Sequence, residues 1–182
     1  MRLIDFKSFP SHWKARAVIV ALVLTFAISD KESEKLGDAY QIALPVIALG
    51  CSLTNGQALD FAARYVIHWS IVHGSKNALG KADINQRPNG KYRGMPSGHT
   101  ATAVFGASNL VHECVTKTPL VQGLIILTAG FVGGSRIEAE AHSIWQVMVG
   151  ALVGWGSDRA FRRVEWRDRF RKLWAKIRPD PS

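Results

Sequence analysis

The stretch TPLVQGLIILTAGFVGGSRIEAEAH, residues 118–142, joins an apolar run to a polar one. From Thr118 through Ser135 it carries no formal charge; Arg136 then opens a short polar segment that ends at His142. A helix needs about 20 mainly apolar residues to cross the hydrocarbon core of a bilayer, so the first part reads as a span that stops where reactive side chains begin. Outward from it, Ala39–Leu59 and Ser143–Ser157 are also free of formal charge, and Ala17–Ser29 is another apolar run. With their flanks, these runs predict an all-α polytopic membrane protein. Its six transmembrane helices are expected near residues 12–29, 38–56, 58–76, 97–115, 118–136 and 141–160. Residues 1–160 form the helical-bundle domain and 161–182 a basic amphipathic cytoplasmic tail. The small residues Gly130, Gly133, Gly134, Gly150, Ala151, Gly154 and Gly156 favour close helix packing in lipid. A soluble helical bundle suits the modest mean hydropathy, but the close spacing of the long apolar runs favours the membrane.

Charge orients the bundle. Arg2, Lys7, Lys14 and Arg16 precede the first run, and Arg159, Arg162, Arg163, Arg167, Arg169, Arg171, Lys172, Lys176 and Arg178 follow the last. Six spans put both termini on one side, and basic flanks put that side in the cytoplasm. Between the first two spans Asp30, Glu32, Glu34 and Asp38 outnumber Lys31 and Lys35, as an outer loop should. The basic loop Lys76–Arg93 also falls outside, against the rule, which a phosphate site there explains. The tail from Phe161 to Ile177 sets Phe170, Leu173, Trp174 and Ile177 on one face among arginines, a pattern suited to anionic head groups or to fixing topology. A net charge of +9 fits nucleic acid too, but no nucleic-acid-binding motif accompanies it.

Three short stretches carry the chemistry: Arg87-Pro88, Pro96-Ser97-Gly98-His99, and Ser135-Arg136 with His142. In the six-helix topology all three meet the outer face. A phosphoryl group in transit holds negative charge on three equatorial oxygens, so catalysis is chiefly positioning and charge stabilisation. Arg87 and Arg136 can each fork onto two such oxygens. Ser97 offers a hydroxyl, and Gly98 lets backbone N–H approach closely. Two histidines suit two steps, one imidazole attacking phosphorus and the other protonating the leaving alkoxide.

In order and spacing these residues resemble the type 2 phosphatidic acid phosphatase superfamily. That family carries a lysine, six residues and Arg-Pro; then Pro-Ser-Gly-His; then Ser-Arg, five residues, His, three residues and Asp. The resemblance runs from about Lys76 to Gln146. It implies His142 as the nucleophile forming a phosphohistidine and His99 as general acid, then base. It further implies a phosphate cradle of Arg87, Arg136, Ser97, Gly98 and a lysine. Two positions depart from the pattern. No lysine lies six residues before Arg87: Lys81 leaves five between and Lys76 leaves ten, and both are candidates. Gln146 stands where the family has aspartate; its amide oxygen can orient His142 but adds no full charge. Slower chemistry, a lower histidine pKa, or a substitute carboxylate from Glu138 or Glu140 are the open consequences.

The expected activity is hydrolysis of a lipid phosphate or pyrophosphate at the periplasmic face of a bacterial inner membrane, with no cofactor and no metal. The resemblance offers undecaprenyl pyrophosphate, phosphatidylglycerol phosphate, phosphatidic acid and lipid A phosphate as substrates. Transfer of the phosphoryl group to another lipid hydroxyl, and a degenerate phosphate-binding protein, are the alternatives. The partners expected are the lipid substrate and membrane lipids, not nucleic acid; oligomeric state stays open. The first apolar run reads as a retained helix, not a cleaved signal. Cys51 and Cys114 read as packing residues inside spans, not a disulfide. His68, His73 and His112 lack metal-ligand spacing and read as polar packing.

Overall fold

A computed structural model of the protein describes residues 12–30, 32–160, 162 and 166–177. Their regular structure is all helical, with no strand among the described residues: α1 (Trp13–Ile28), α2 (Ser33–Thr54), α3 (Ala58–Leu79), α4 (Gly98–Asn109), α5 (Pro119–Glu138), α6 (Ile144–Ala160) and α7 (Trp166–Ile177). A 3-10 turn, Asp83–Asn85, interrupts the long loop after α3, and a wider π turn, Leu110–Cys114, extends α4. Arg2, Lys7, Lys31, Phe161, Arg163 and Arg178, invoked in the charge and tail readings, lie outside the described residues.

Helices cover all six expected segments, and the differences lie at their ends. α2 begins at Ser33, several residues before 38, because the apolar window stops at charged residues whereas a helical backbone does not; acidic groups even favour a helix start. Glu34 and Asp38 are thereby mounted on a helix. α3 runs on to Leu79, past Lys76. α6 begins at Ile144, which leaves His142 in the turn ahead of it.

α4 is the hub, packed between α2, α5 and α6. Its neighbours approach to backbone contact. A Cβ at Gly106 would lie 2.5 Å from Pro45 N and 2.7 Å from Leu44 C of α2, and one at Gly150 would lie 2.6 Å from Ser97 O. Gly154 of α6 likewise presses on the Ala101 carbonyl of α4. Of the remaining glycines read as packing positions, Gly133 meets Val147 and Thr100, while Gly130, Gly134 and Gly156 face open space. The core around this hub includes Leu44, Phe105, Leu110, Ile125 and Val132.

The outward faces are apolar as well. Val23 and Leu24 of α1, Val66 of α3, Leu127 of α5, and Trp145 and Leu152 of α6 are all more than half exposed. α2 and α5 are long and apolar enough to cross a membrane.

Consecutive helices alternate in direction, so the bundle has two ends. Lys14 donates to Asn55, Asn55 donates to the Glu113 carbonyl, and Arg64 and Arg162 both pair with Glu113 and Asp158 at the end away from the motifs. Trp166 N of α7 donates to Asp60 there. The same end corrects the reading of the cysteines: Cys51 and Cys114 form a disulfide. The π turn carries the end of α4 against α2 and sets their Cα atoms 6.0 Å apart, within disulfide reach, a convergence of distant positions that the separate apolar runs do not encode. His68, buried between Ser157 and Thr102, and His112, on the Ser108 carbonyl, serve polar packing.

If backbone contact at α4 sets the fold, Gly106→Val should destabilise the protein by about 1–3 kcal/mol through overpacking. Gly134→Val should change little. Thermal midpoints in one detergent check both.

Candidate active site

The site is assembled at the opposite end by three segments: the end of α3 with the loop after it, the start of α4, and the turn between α5 and α6. Lys76, Arg87, Gly98, His99 and His142 line one cavity of about 300 Å³ with Gln41, His68, His73 and Thr102. Each arrives for a local reason. Ser97 starts α4 as its N-cap, its Oγ accepting from Thr100 N and pairing with Thr100 Oγ1 at 2.9 Å. Its backbone N–H donates to the Gln146 carbonyl at 2.9 Å, so the first turn of α4 is tied to α6. Gly98 lies against Lys76: a Cβ there would sit 3.8 Å from Lys76 Nζ, in ordinary van der Waals contact.

Of the two candidate lysines, Lys76 lines the cavity. Lys76 is buried and its Nζ donates to the Arg93 carbonyl at 2.9 Å, the same oxygen that accepts from Arg87 Nη2 at 3.3 Å. Lys81 is exposed and does not line the cavity. The loop Asp83–Gly94 folds back on itself, with Arg87 N on the Lys91 carbonyl and Gly90 N on the Arg87 carbonyl. Asn85, fully buried, fastens this loop: its amide donates to the Lys76 and Gly80 carbonyls and its oxygen accepts from Met95 N. Arg87 Nε is buried without a hydrogen-bond partner among the described residues.

His142 is buried, with Nδ1 3.1 Å from Gln146 Oε1. The orientation of that amide is fixed by its other contacts. Gln146 Nε2 donates to the Gln86 and Ile84 carbonyls at 2.7 and 3.3 Å, so Oε1 must be the atom facing His142. An oxygen there requires Nδ1–H on the imidazole, which leaves the Nε2 lone pair free. Burial holds the His142 pKa down, from 6.5 to about 4; the Gln146 hydrogen bond opposes that, while Arg87 and Lys76 add to it. Glu138 and Glu140 are exposed, and neither takes the place of Gln146.

Arg136 and Ser97 stand beside the cavity and do not line it. Arg136, almost fully buried, donates through Nη2 to the Glu34 carbonyl at 2.7 Å, and its Nη1 lies 3.0 Å from Asp38 Oδ1 and 3.5 Å from Glu34 Oε1. His99 Nε2 reaches the same Asp38 oxygen at 3.2 Å. Asp38 and Glu34 are functional candidates that the sequence reading missed, having taken them only as outer-loop charge. Gly37 between them lets α2 approach α5 there, since a Cβ at this position would collide with Ser135. Ser143 and Gln146 also form a capping box at the start of α6, a spacing visible in sequence: Gln146 N donates to Ser143 Oγ and Ser143 N to Gln146 Oε1.

The family model described as the PAP2 superfamily matches residues 60–170, the segment that supplies both histidines and both arginines of the site. The chain belongs to the PAP2 superfamily. A protein described as lipid A 4'-phosphatase of Helicobacter pylori (strain J99) is 28% identical over 134 residues, 68% of this chain and 66% of that protein. The match thus spans just under two thirds of the relative. No solved structure matches. Within this PAP2 chain, Lys76→Met should weaken inorganic phosphate binding at least about tenfold, the scale of one lost charge-assisted contact, whereas Lys81→Met should not. Titration calorimetry of the two variants separates the two lysines.

Proposed function

We propose that the protein is a lipid phosphatase that removes a phosphate or pyrophosphate group through a phosphohistidine on His142. The observation that carries this reading is the shared cavity: an imidazole oriented by Gln146, a second histidine, and two cationic side chains converge at one end of an apolar-faced bundle. Phosphate monoanions and dianions suit such a cavity; neutral esters do not.

In the proposed reaction, His142 Nε2 attacks phosphorus while Lys76, Arg87 and the first N–H groups of α4 hold the equatorial oxygens. The P–O bond to the lipid breaks, and His99 delivers a proton to the departing oxygen. Water then attacks the phosphohistidine, His99 takes its proton, the N–P bond breaks, and inorganic phosphate leaves. Gln146 keeps the proton of His142 on Nδ1 through both steps. Arg136 meets the phosphoryl group only by sharing its N–H donors with Asp38 and Glu34. These cationic side chains supply the charge that the reaction needs, so turnover is expected to continue in excess chelator.

Six spans with the site outside is the topology that fits this reading. Exposed apolar side chains ring the bundle far beyond what a soluble monomer tolerates, and their burial in lipid removes that cost. Lys14, Arg16, Arg159, Arg162 and the basic helix α7 gather at the end away from the site, which the positive-inside preference puts in the cytoplasm. The Cys51–Cys114 bond then lies toward the cytoplasmic side, inside the bundle, where Cys51 is buried from aqueous reductant. On α7, Phe170, Leu173, Trp174 and Ile177 are exposed in a basic setting suited to an anionic membrane surface. The Helicobacter pylori relative favours a lipid A phosphate among the candidate substrates.

Purified protein should release phosphate from one or more lipid phosphates in excess chelator, and His142→Ala should release none. The acid limb of kcat/KM should lie near pH 4, because His142 attacks only when neutral and burial keeps it neutral down to that range. A limb near 6.5 would contradict the assignment of the nucleophile.

A further inference from the structure

We infer that Gln146 is a positioning residue that locks the loop carrying Arg87 to the nucleophile, so that the phosphate clamp and His142 move as one unit. This rests on the phosphatase reading of the cavity and extends it to a task a carboxylate at this position cannot perform.

Gln146 is buried and uses its whole hydrogen-bonding capacity. Oε1 accepts from His142 Nδ1 and Ser143 N; Nε2 donates to the carbonyls of Ile84 and Gln86. The acceptor half faces the nucleophile, and the donor half grips the backbone one residue before Arg87. The loop is shaped to receive it. A Cβ at Gly94 would fall 2.7 Å from both Cδ and Oε1 of Gln146, so only glycine leaves room for the amide. Gly94 N in turn donates to the Asn85 carbonyl at 2.7 Å, closing the loop around the glutamine.

A carboxylate at residue 146 would serve His142 but not the loop. Aspartate is one methylene too short to span both partners, and glutamate would turn an oxygen lone pair toward two carbonyl oxygens. The buried carbonyls of Ile84 and Gln86 would lose their donors, a cost of about 1–3 kcal/mol for a buried group left unpaired. Glutamine is therefore a substitution with its own function in this chain, and the position that looks degraded in sequence is the joint between two halves of the site.

A double-mutant cycle on inorganic phosphate binding tests this, using the full-length protein in detergent and titration calorimetry. Gln146→Glu and Arg87→Ala should each weaken phosphate binding about tenfold or more. Together they should be no weaker than Arg87→Ala alone within about twofold, because the loop tie acts through Arg87. Gly94→Ala, which displaces the amide from the loop side, should reproduce Gln146→Glu and carries the cycle if Gln146→Glu does not fold. Additive losses, or wild-type phosphate affinity in Gln146→Glu, would overturn the inference. Absent lipid turnover with this binding pattern intact would count against the phosphatase reading alone, since the cycle reads binding and not turnover.

Discussion

Backbone-to-backbone contact along α4 is the constraint on which the site depends. Gly106 admits α2, and Gly150 and Gly154 admit α6, to distances at which any Cβ would clash. In lipid, where apolar side chains gain little by meeting one another, such close approach and its dispersion contacts are a principal source of helix association. The consequence is positional. With α6 seated on the first turn of α4, Ser97 N reaches the Gln146 carbonyl, and His99 and His142 open onto one cavity. Residues forty positions apart become one site through the absence of a few side chains.

The electrostatics of that site are a managed excess of positive charge. Lys76 and Arg87 converge on a single carbonyl, that of Arg93, with Arg87 Nε left without a hydrogen-bond partner among the described residues. Arg136, by contrast, is neutralised on the α2 side by Asp38 and Glu34. The α5 arginine is thus held by two carboxylates, one of which, Asp38, also lies 3.2 Å from His99 Nε2. Burial of His142 in this setting favours its neutral form without an aspartate partner.

Much of this was legible in the sequence because apolar runs and motif spacing are local signals. The six helices fall where uncharged runs and their flanks predict them, and both histidines, Arg87 and Gly98 reach the cavity. What escaped was tertiary or masked by charge. The α2 window closed at Asp38 because charge interrupts hydropathy, although Glu34 and Asp38 lie on the helix and meet Arg136. Lysine spacing could not choose between Lys76 and Lys81; α3 runs on to Leu79, and it is Lys76 that lines the cavity. The disulfide depended on a π turn that no local pattern announced. Gln146 read as a loss of charge because its loop partners are backbone carbonyls, which leave no trace in side-chain identity.

As the proposed nucleophile, His142 must become covalently phosphorylated during turnover. Protein mixed with a short-chain lipid phosphate and quenched in alkali, where phosphohistidine survives, can be digested and its peptides read by mass spectrometry. The expected result is a phosphate on the peptide containing His142, absent from His142→Ala protein. Phosphate on another side chain, or turnover by His142→Ala at the wild-type rate, would contradict it.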